Sequence, residues 1–375
     1  MTRRIDALDV LRGVAIMGTL GTNIWIFTDP AGPAGFLGIG RDMGVVETFL
    51  RFLSNGKFLG LLTLLFGVGL ELQYRSAVRK GLAWPGRYLW RATLLLAEGA
   101  LHFVLIFEFD VLMGYAITSV IVAYLIGRSD RVVRTWMVTV GALHLTLVSL
   151  LTVALLAADD STPRTPVDTL YTDGSWPQQV AARLHQVALY RAELIFIVPM
   201  GIVLFLLGSR LLRAGLFDER GARLRRRLTA LGLGVAAPVN LVISYSGPAW
   251  FAVERYVLAP LVALGLLGLI TSIVLGMDGA PGMIRRGVTN VGRTALSCYV
   301  FQNLAASILC YGWGLGLAAG LDWLRPWWVP VAWAGICLLF MTLTALWLRR
   351  FERGPLESAW QWAYRAPWAK RASVH

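Results

Sequence analysis

The stretch AEGALHFVLIFEFDVLMGY, residues 97–115, joins two long apolar runs through the polar turn FEFD. Each run is long enough for a bilayer-spanning helix, which needs about 17–25 mostly apolar residues. Such runs recur along all 375 residues, of which 57% are hydrophobic and 15% charged. A soluble domain carries roughly 25% charged residues. The pattern predicts an all-α, polytopic transmembrane bundle. A transmembrane β-barrel would show alternating segments of about ten residues, and none is found. Spans are expected near 8–28, 57–76, 88–107, 110–128, 132–157, 186–209, 226–246, 253–276, 292–314 and 327–348, about ten in all, forming a single membrane domain over 1–375.

With the N-terminus in the cytoplasm, both termini are cytoplasmic. Of the 35 lysines and arginines, 26 then fall on the cytoplasmic side, 8 outside, and Arg12 within a span. The outer set includes Arg41 and Arg164, and the tail 349–375 includes Lys370 and Arg371. This is the positive-inside asymmetry, so the net charge of +13 reads as topology and attraction to anionic lipid, not nucleic-acid binding. Trp25, Trp84, Trp176, Trp250, Trp323, Trp327, Trp328, Trp360 and Trp362 fall near span ends or in loops, as interfacial belts do.

The first run is broken by Arg12 and lacks a convincing small-residue cleavage site, unlike a cleavable signal peptide. Outer loops are expected at 28–56, containing the amphipathic VVETFLRFL, and at 158–185. Cys298, Cys310 and Cys337 lack metal-ligand spacing, and no metal site is expected. No internal repeat is seen.

A charge in hydrocarbon costs roughly 2.5–3.5 kcal/mol at a helix centre, so ionisable residues inside spans face the bundle, pair, or serve function. In LDVLRGVAIMGTLGTN, residues 8–23, Asp9 and Arg12 share a face, either neutralising each other or offering Arg12 to an anion. Asn23 lies three turns further along nearly the same face, while Gly13, Gly18 and Gly21 admit a close helix neighbour. Glu98 and His102 are one turn apart in the third span. Asp110 starts the fourth, where it caps a positive helix end or faces His102. If the third span stays helical to residue 107, helix rise separates His102 and Asp110 by roughly 6–9 Å, so contact requires the helix to end early or the side chains to lean together. Histidine suits general-base work near neutral pH. Tyr115 reaches the depth of His102, and Lys57 sits at the outer mouth of the second span. Phe66, Gly67 and Gly69 suggest close helix packing. Gln302 and Asn303 are mid-span amides, with Tyr299 one turn before Gln302. Pro199 and Pro238 are positioned to break spans six and seven. His144 has no carboxylate near it in sequence, and His185 and His375 are expected in solvent.

RIDALDVLRGVAIMGTLGTNI, LLTLLFGVGLELQYRSAVRKG, RATLLLAEGALHFVLIFEFDVLMGYAI, GRTALSCYVFQN and RRFERGPLESAW together resemble the YeiB family of bacterial membrane proteins, also known as domain of unknown function 418. His102, Asp110 and Tyr115 fall on that family's His, Asp and Tyr, and Glu98 stands where an apolar residue is more usual. The resemblance implies a multi-pass protein of the bacterial cytoplasmic membrane.

The opening helix is also similar to that of membrane acyltransferases that modify surface glycans, and of the lysosomal heparan glucosaminide acetyltransferase. In the former a DxLRG start is followed, eleven residues after its arginine, by a histidine; here that position is Asn23, and residues 24–40 contain no histidine. His102 is then the base available. The resulting expectation is acyl transfer from cytoplasmic acyl-CoA to an envelope glycan or lipid at the outer face. Arg12 lies near the donor phosphates, and His102 is the base, oriented by Asp110. Asn23 donates to the oxyanion, and Tyr115, Lys57 and Gln302 contact substrate. The alternatives are a transporter or exporter of a small solute or lipid precursor, and a non-catalytic partner in an envelope complex.

Overall fold

The computed structural model describes residues 2–36, 43–158 and 169–369, and every regular element among them is helical. The principal helices are α1 (Thr2–Phe27), α2 (Val45–Ser54), α3 (Lys57–Arg79), α4 (Tyr88–Leu105), α5 (Leu112–Leu125), α6 (Asp130–Ala157), α7 (Trp176–His185) and α8 (Leu194–Arg213). They continue with α9 (Ala222–Leu231), α10 (Ala237–Ser244), α11 (Ala259–Gly276), α12 (Met283–Arg293), α13 (Ala295–Cys310), α14 (Trp328–Trp347) and α15 (Pro355–Ala369). Arg41, Arg164, Lys370, Arg371 and His375 lie outside the described residues, with parts of both long loops and of the tail.

Seven stretches are long and apolar enough to cross a membrane: Asp6–Phe27, Val45–Arg79, Asp130–Ala157, Val187–Arg213, Glu219–Ser244, Pro248–Gly276 and Trp328–Trp347. The helices α5 and α13 are shorter apolar ones, and α4 carries Glu98 and His102 among its 18 residues. This is the architecture of a multi-pass membrane protein.

Burial ranks the helices. The spanning window of α1 is 83% buried, against 22% for α6 and for α14. Thus α1 is central, packed on α3, α11, α12, α13 and α14. Glycine makes that packing possible: a Cβ on Gly292 would sit 1.8 Å from the Asp9 carbonyl oxygen, and one on Gly13 2.0 Å from that of Val288. Backbones meet here without side chains between them. Likewise a Cβ on Gly67 would fall 2.1 Å from the Phe205 carbonyl oxygen, joining α3 to α8, whereas Gly69 has nothing within 4 Å. The main core draws on α1, α3, α5, α8 and α11, and a second aromatic core gathers Trp25, Phe27, Phe107, Tyr171 and Tyr311 beyond it.

Pro199 sits inside α8 without ending it. Near Pro238 the helix is interrupted by a π-helical turn, Gly232–Ala236, and a second such turn, Glu254–Leu258, precedes Pro260. Proline has no N–H and crowds the preceding turn, and the wider turn absorbs both effects. The carbonyls freed at the second turn are met by Asn240 Nδ2 on Glu254 (3.1 Å) and His144 Nε2 on Tyr256 (3.0 Å).

The amphipathic α2 faces outward with Val45, Val46, Phe49 and Leu53, and inward with Glu47 and Arg51. Arg325 joins the inward face at 3.0 Å from Glu47. Trp323 and Trp327 are exposed as belt residues should be. Trp25 and Trp328 depart from that expectation: both are buried in the aromatic core, Trp25 with Arg325 5.4 Å over its ring.

Candidate functional site

The turn FEFD decides the site. Helix α4 ends at Leu105, where the amides of Ile106 and Phe107 both donate to the His102 carbonyl (2.9 and 3.0 Å). The chain then doubles back before α5. Arg191 holds the reversal by donating to the carbonyls of Glu108 and Asp110 (3.0 Å to the latter) while lying 4.1 Å over the Phe103 ring. The Glu108 carboxylate accepts from Arg183 Nε (2.7 Å) and Tyr171 Oη (3.0 Å). Burial, then the Glu108 charge, push the Tyr171 hydroxyl well above its usual range. Burial disfavours the Arg183 cation, but Glu108 overrides it and holds the arginine above its ordinary value. Gly99 lets α5 approach, since a Cβ there would lie 2.7 Å from the Met113 amide nitrogen.

The early helix end removes the separation that rise alone would impose. His102 Nδ1 lies 3.0 Å from Asp110 Oδ1, with both residues 2% exposed. Asp110 Oδ2 accepts from the Met113 amide at 3.1 Å, so the carboxylate both caps α5 and holds the imidazole. The Tyr299 hydroxyl reaches Asp110 Oδ1 at 3.5 Å. On the other edge, His102 Nε2 lies 3.2 Å from Asn303 Nδ2, and Asn303 Oδ1 accepts from Asn23 Nδ2 at 3.2 Å. A carboxylate only accepts, so Nδ1 carries the proton and Nε2 accepts the Asn303 N–H. The chain has one consistent direction: Asn23 to Asn303 to His102 to Asp110.

Two cavities flank this cluster. A chamber of about 590 Å³ is lined deep inside by Ile16, Leu62, Glu98, Leu112 and Tyr299, with Leu65, Phe66 and Leu95 along its walls. Its mouth carries Arg12, Arg91, Arg293 and Arg353. On the other side a pocket of about 20 Å³, room for about one water, is lined by Thr19, Thr22, Asn23, Arg255 and Tyr299. Tyr299 lines both, and its ring lies 5.0 Å from that of His102.

The expected site residues divide. His102, Asp110 and Asn23 come together; Arg12 pairs with Asp9 at 3.1 Å and also lines the mouth of the chamber. Tyr115 does not join: its hydroxyl bonds Thr63 Oγ1 (2.7 Å) and the Leu59 carbonyl (3.2 Å), tying α5 to α3. Lys57 is turned inward onto the Phe52 carbonyl and ring. Gln302 donates to the Ile16 carbonyl at 3.1 Å. Each of these three polar groups sits in low dielectric and takes the nearest backbone acceptor or hydroxyl, which removes it from the cavities. Glu98 lines the chamber, and neither carboxylate oxygen bonds a described residue. The three cysteines are buried and free, His185 is exposed, and no group of residues suited to a metal occurs among the described residues.

Two further residues belong to the site. Asn303 was legible only as a mid-span amide, and Tyr299 only as its neighbour on the helix. Arg91, Arg293 and Arg353 carried no signal beyond the charge asymmetry, since three separate segments supply them.

Residues 211–366 match the family model described as Protein of unknown function (DUF418). The matched part includes Tyr299, Asn303 and Arg353; His102 and Asp110 lie before it. The chain is 28% identical to Uncharacterized protein YeiB of Escherichia coli (strain K12), over 94% of each protein. It is 25% identical to Uncharacterized protein YxaH of Bacillus subtilis (strain 168), over 99% of this chain and 97% of that one. These matches support the YeiB-family likeness across nearly the whole length. Neither relative's name assigns an activity.

Proposed function

We propose that the protein is a membrane acyltransferase that takes an acyl group from cytoplasmic acyl-CoA and delivers it to a glycan or lipid at the outer face of the bacterial cytoplasmic membrane. In this reading ten helices span the bilayer, both termini are cytoplasmic, and the arginine-lined mouth opens to the cytoplasm. One observation carries the proposal: the buried His102–Asp110 pair adjoins, through Tyr299, the deep end of a chamber with apolar walls and a basic mouth.

The chemistry follows from the hydrogen-bond directions. An acceptor hydroxyl or amine displaces the Asn303 N–H from His102 Nε2 and gives up its proton there as its oxygen or nitrogen attacks the thioester carbonyl. Asp110 keeps the imidazole oriented and stabilises its cation. The Asn303 N–H beside Nε2, and the Asn23 N–H that donates to Asn303 Oδ1 in the resting protein, donate to the tetrahedral oxyanion. The C–S bond then breaks and His102 returns the proton to the departing thiolate.

The transporter alternative draws on the two π-helical interruptions. At the second of these, the freed carbonyls of Glu254 and Tyr256 already have side-chain partners in Asn240 and His144.

The test uses membranes from cells producing the protein, incubated with acyl-labelled CoA. Label should pass to an envelope lipid or glycan and fall by about 10²-fold or more in His102→Ala. Equal labelling in that variant would retire the proposal.

A further inference from the structure

Helix α15 forms one side of the chamber mouth. Trp360 from this helix, and Arg353 just before it, stand there with Arg12, Arg91 and Arg293. Two anchors hold the helix in place. The Glu357 carboxylate accepts from the amides of Leu296 (2.8 Å) and Ser297 (3.2 Å) and from the Ser297 hydroxyl, at the start of α13. Trp90 Nε1 donates to the Ala363 carbonyl at 3.2 Å.

The mouth is layered as well as charged. The Arg91 guanidinium lies 4.5 Å over the Trp360 ring, and Tyr364 stacks on Trp360 at 5.6 Å with 8° between planes. Planar groups extend such a stack favourably. Arg293 and Arg353 have no ion-pair partner among the described residues, which leaves two cations for an incoming anion.

Length selects among phosphate-bearing donors. Arg12 precedes Asn23 by eleven residues on α1, and Arg91 precedes His102 by eleven on α4. Both intervals correspond to about 16 Å of helix rise. A pantetheine arm, about twelve bonds from phosphate to sulfur, extends roughly 14 Å by ordinary bond geometry. A glycerophospholipid with its phosphate in the same mouth places its ester carbonyl only about five bonds in, roughly 6 Å, far short of His102.

Resting on the acyl-donor reading above, we propose that α15 is part of the donor site. Trp360 and Arg91 take the planar base of a nucleotide-linked pantetheine thioester. Arg12, Arg293 and Arg353 take its phosphates, and the arm runs inward to Tyr299.

The full-length protein in lipid nanodiscs is titrated with CoA, with adenosine 3′,5′-bisphosphate, which lacks the arm, and with 4′-phosphopantetheine, which lacks the base. Trp360→Leu should weaken CoA and the bisphosphate about tenfold and leave 4′-phosphopantetheine unchanged. Trp360→Phe should retain most affinity, and Trp362→Leu, an exposed tryptophan outside the chamber lining, should bind as wild type. The unchanged 4′-phosphopantetheine affinity shows that Trp360→Leu is folded. CoA bound equally well by folded Trp360→Leu overturns the role of α15 and leaves the donor reading intact. Failure of the wild type to bind CoA at millimolar concentration, with stabilisation by phosphatidate-containing nanodiscs lost in Arg12→Ala, overturns both in favour of a lipid phosphate.

Discussion

His102 and Asp110 are eight residues apart in sequence, yet their side chains meet at 3.0 Å because α4 ends three residues after the histidine and the chain turns back. The pair is therefore a product of the turn, and the turn is held by Arg191, Arg183 and Glu108. Replacing Asp110 with Asn preserves shape but offers Nδ1 a neutral partner that can donate as well as accept. Acyl transfer should fall by about 10²–10⁴-fold in Asp110→Asn, with little change in thermal unfolding. Labelled-donor transfer measured beside a melting curve checks this, and near-normal transfer would remove Asp110 from the mechanism.

Tyr299 lines both the large chamber and the small pocket beside Asn23. Its removal should connect them. The reporter is Thr22→Cys in a chain with Cys298, Cys310 and Cys337 replaced by Ala. A thiol reagent supplied from the arginine-lined side should modify that cysteine in Tyr299→Ala and not in Tyr299→Phe. Truncating a buried aromatic costs about 3–5 kcal/mol, so each variant is first shown to be monodisperse. Equal labelling in the two variants would show that another barrier separates the cavities.

Glu108 and Arg183 form a pair in which neither side chain is more than 1% exposed. Glu108→Gln leaves a buried cation uncompensated and should destabilise the protein by about 3–5 kcal/mol. Glu108→Gln with Arg183→Met should recover much of that loss. Chemical or thermal unfolding of the three proteins gives the comparison. A double variant no more stable than Glu108→Gln alone would mean that Arg183 acts mainly through the Val104 carbonyl, which it also contacts at 3.1 Å.

Tyr171 adds a pH dependence. Its hydroxyl titrates higher in the folded protein than the ordinary value of 10.0, so the folded state holds the proton more tightly. Its stabilising contribution is fully present below pH 10 and is lost as the pH rises beyond it. The fall in melting temperature above pH 10 should be shallower in Tyr171→Phe than in wild type. Parallel curves would show that the Tyr171 hydroxyl contributes nothing there.

Gly292 lies where α12 touches the backbone of α1. Gly292→Ala should lower the melting temperature markedly, because its Cβ meets the Asp9 carbonyl oxygen at 1.8 Å and backbone cannot yield cheaply. Gly335→Ala, with nothing within 4 Å, should leave it unchanged or slightly raised. Equal melting temperatures for the two would refute the close α1–α12 contact.

Much of the architecture was legible because membrane helices announce themselves locally. Each expected run is helical over most of its length, and Gly13 and Gly67 lie where helix backbones meet. The pairing of His102 with Asp110 was legible only as two alternatives, that α4 end early or that the side chains lean together, and the structure shows the helix ending at Leu105. Tyr115, Lys57 and Gln302, expected to contact substrate, instead bond neighbouring backbone carbonyls and, for Tyr115, the Thr63 hydroxyl. Depth along a helix is readable from residue number, but the rotation that turns a side chain toward a cavity or a neighbouring carbonyl depends on partners from elsewhere in the chain.

Hydropathy, charge asymmetry and small-residue spacing, all properties of short windows, determined that this chain is a multi-pass helical membrane protein with ionisable groups gathered around residues 98–110. Tertiary structure alone decided that Asn303 stands between Asn23 and His102, and that four arginines from separate segments ring one chamber. The physical reason is that helix formation is settled by neighbours a few residues away, whereas the register and rotation of packed helices are settled by contacts hundreds of residues apart, such as Gly292 against Asp9.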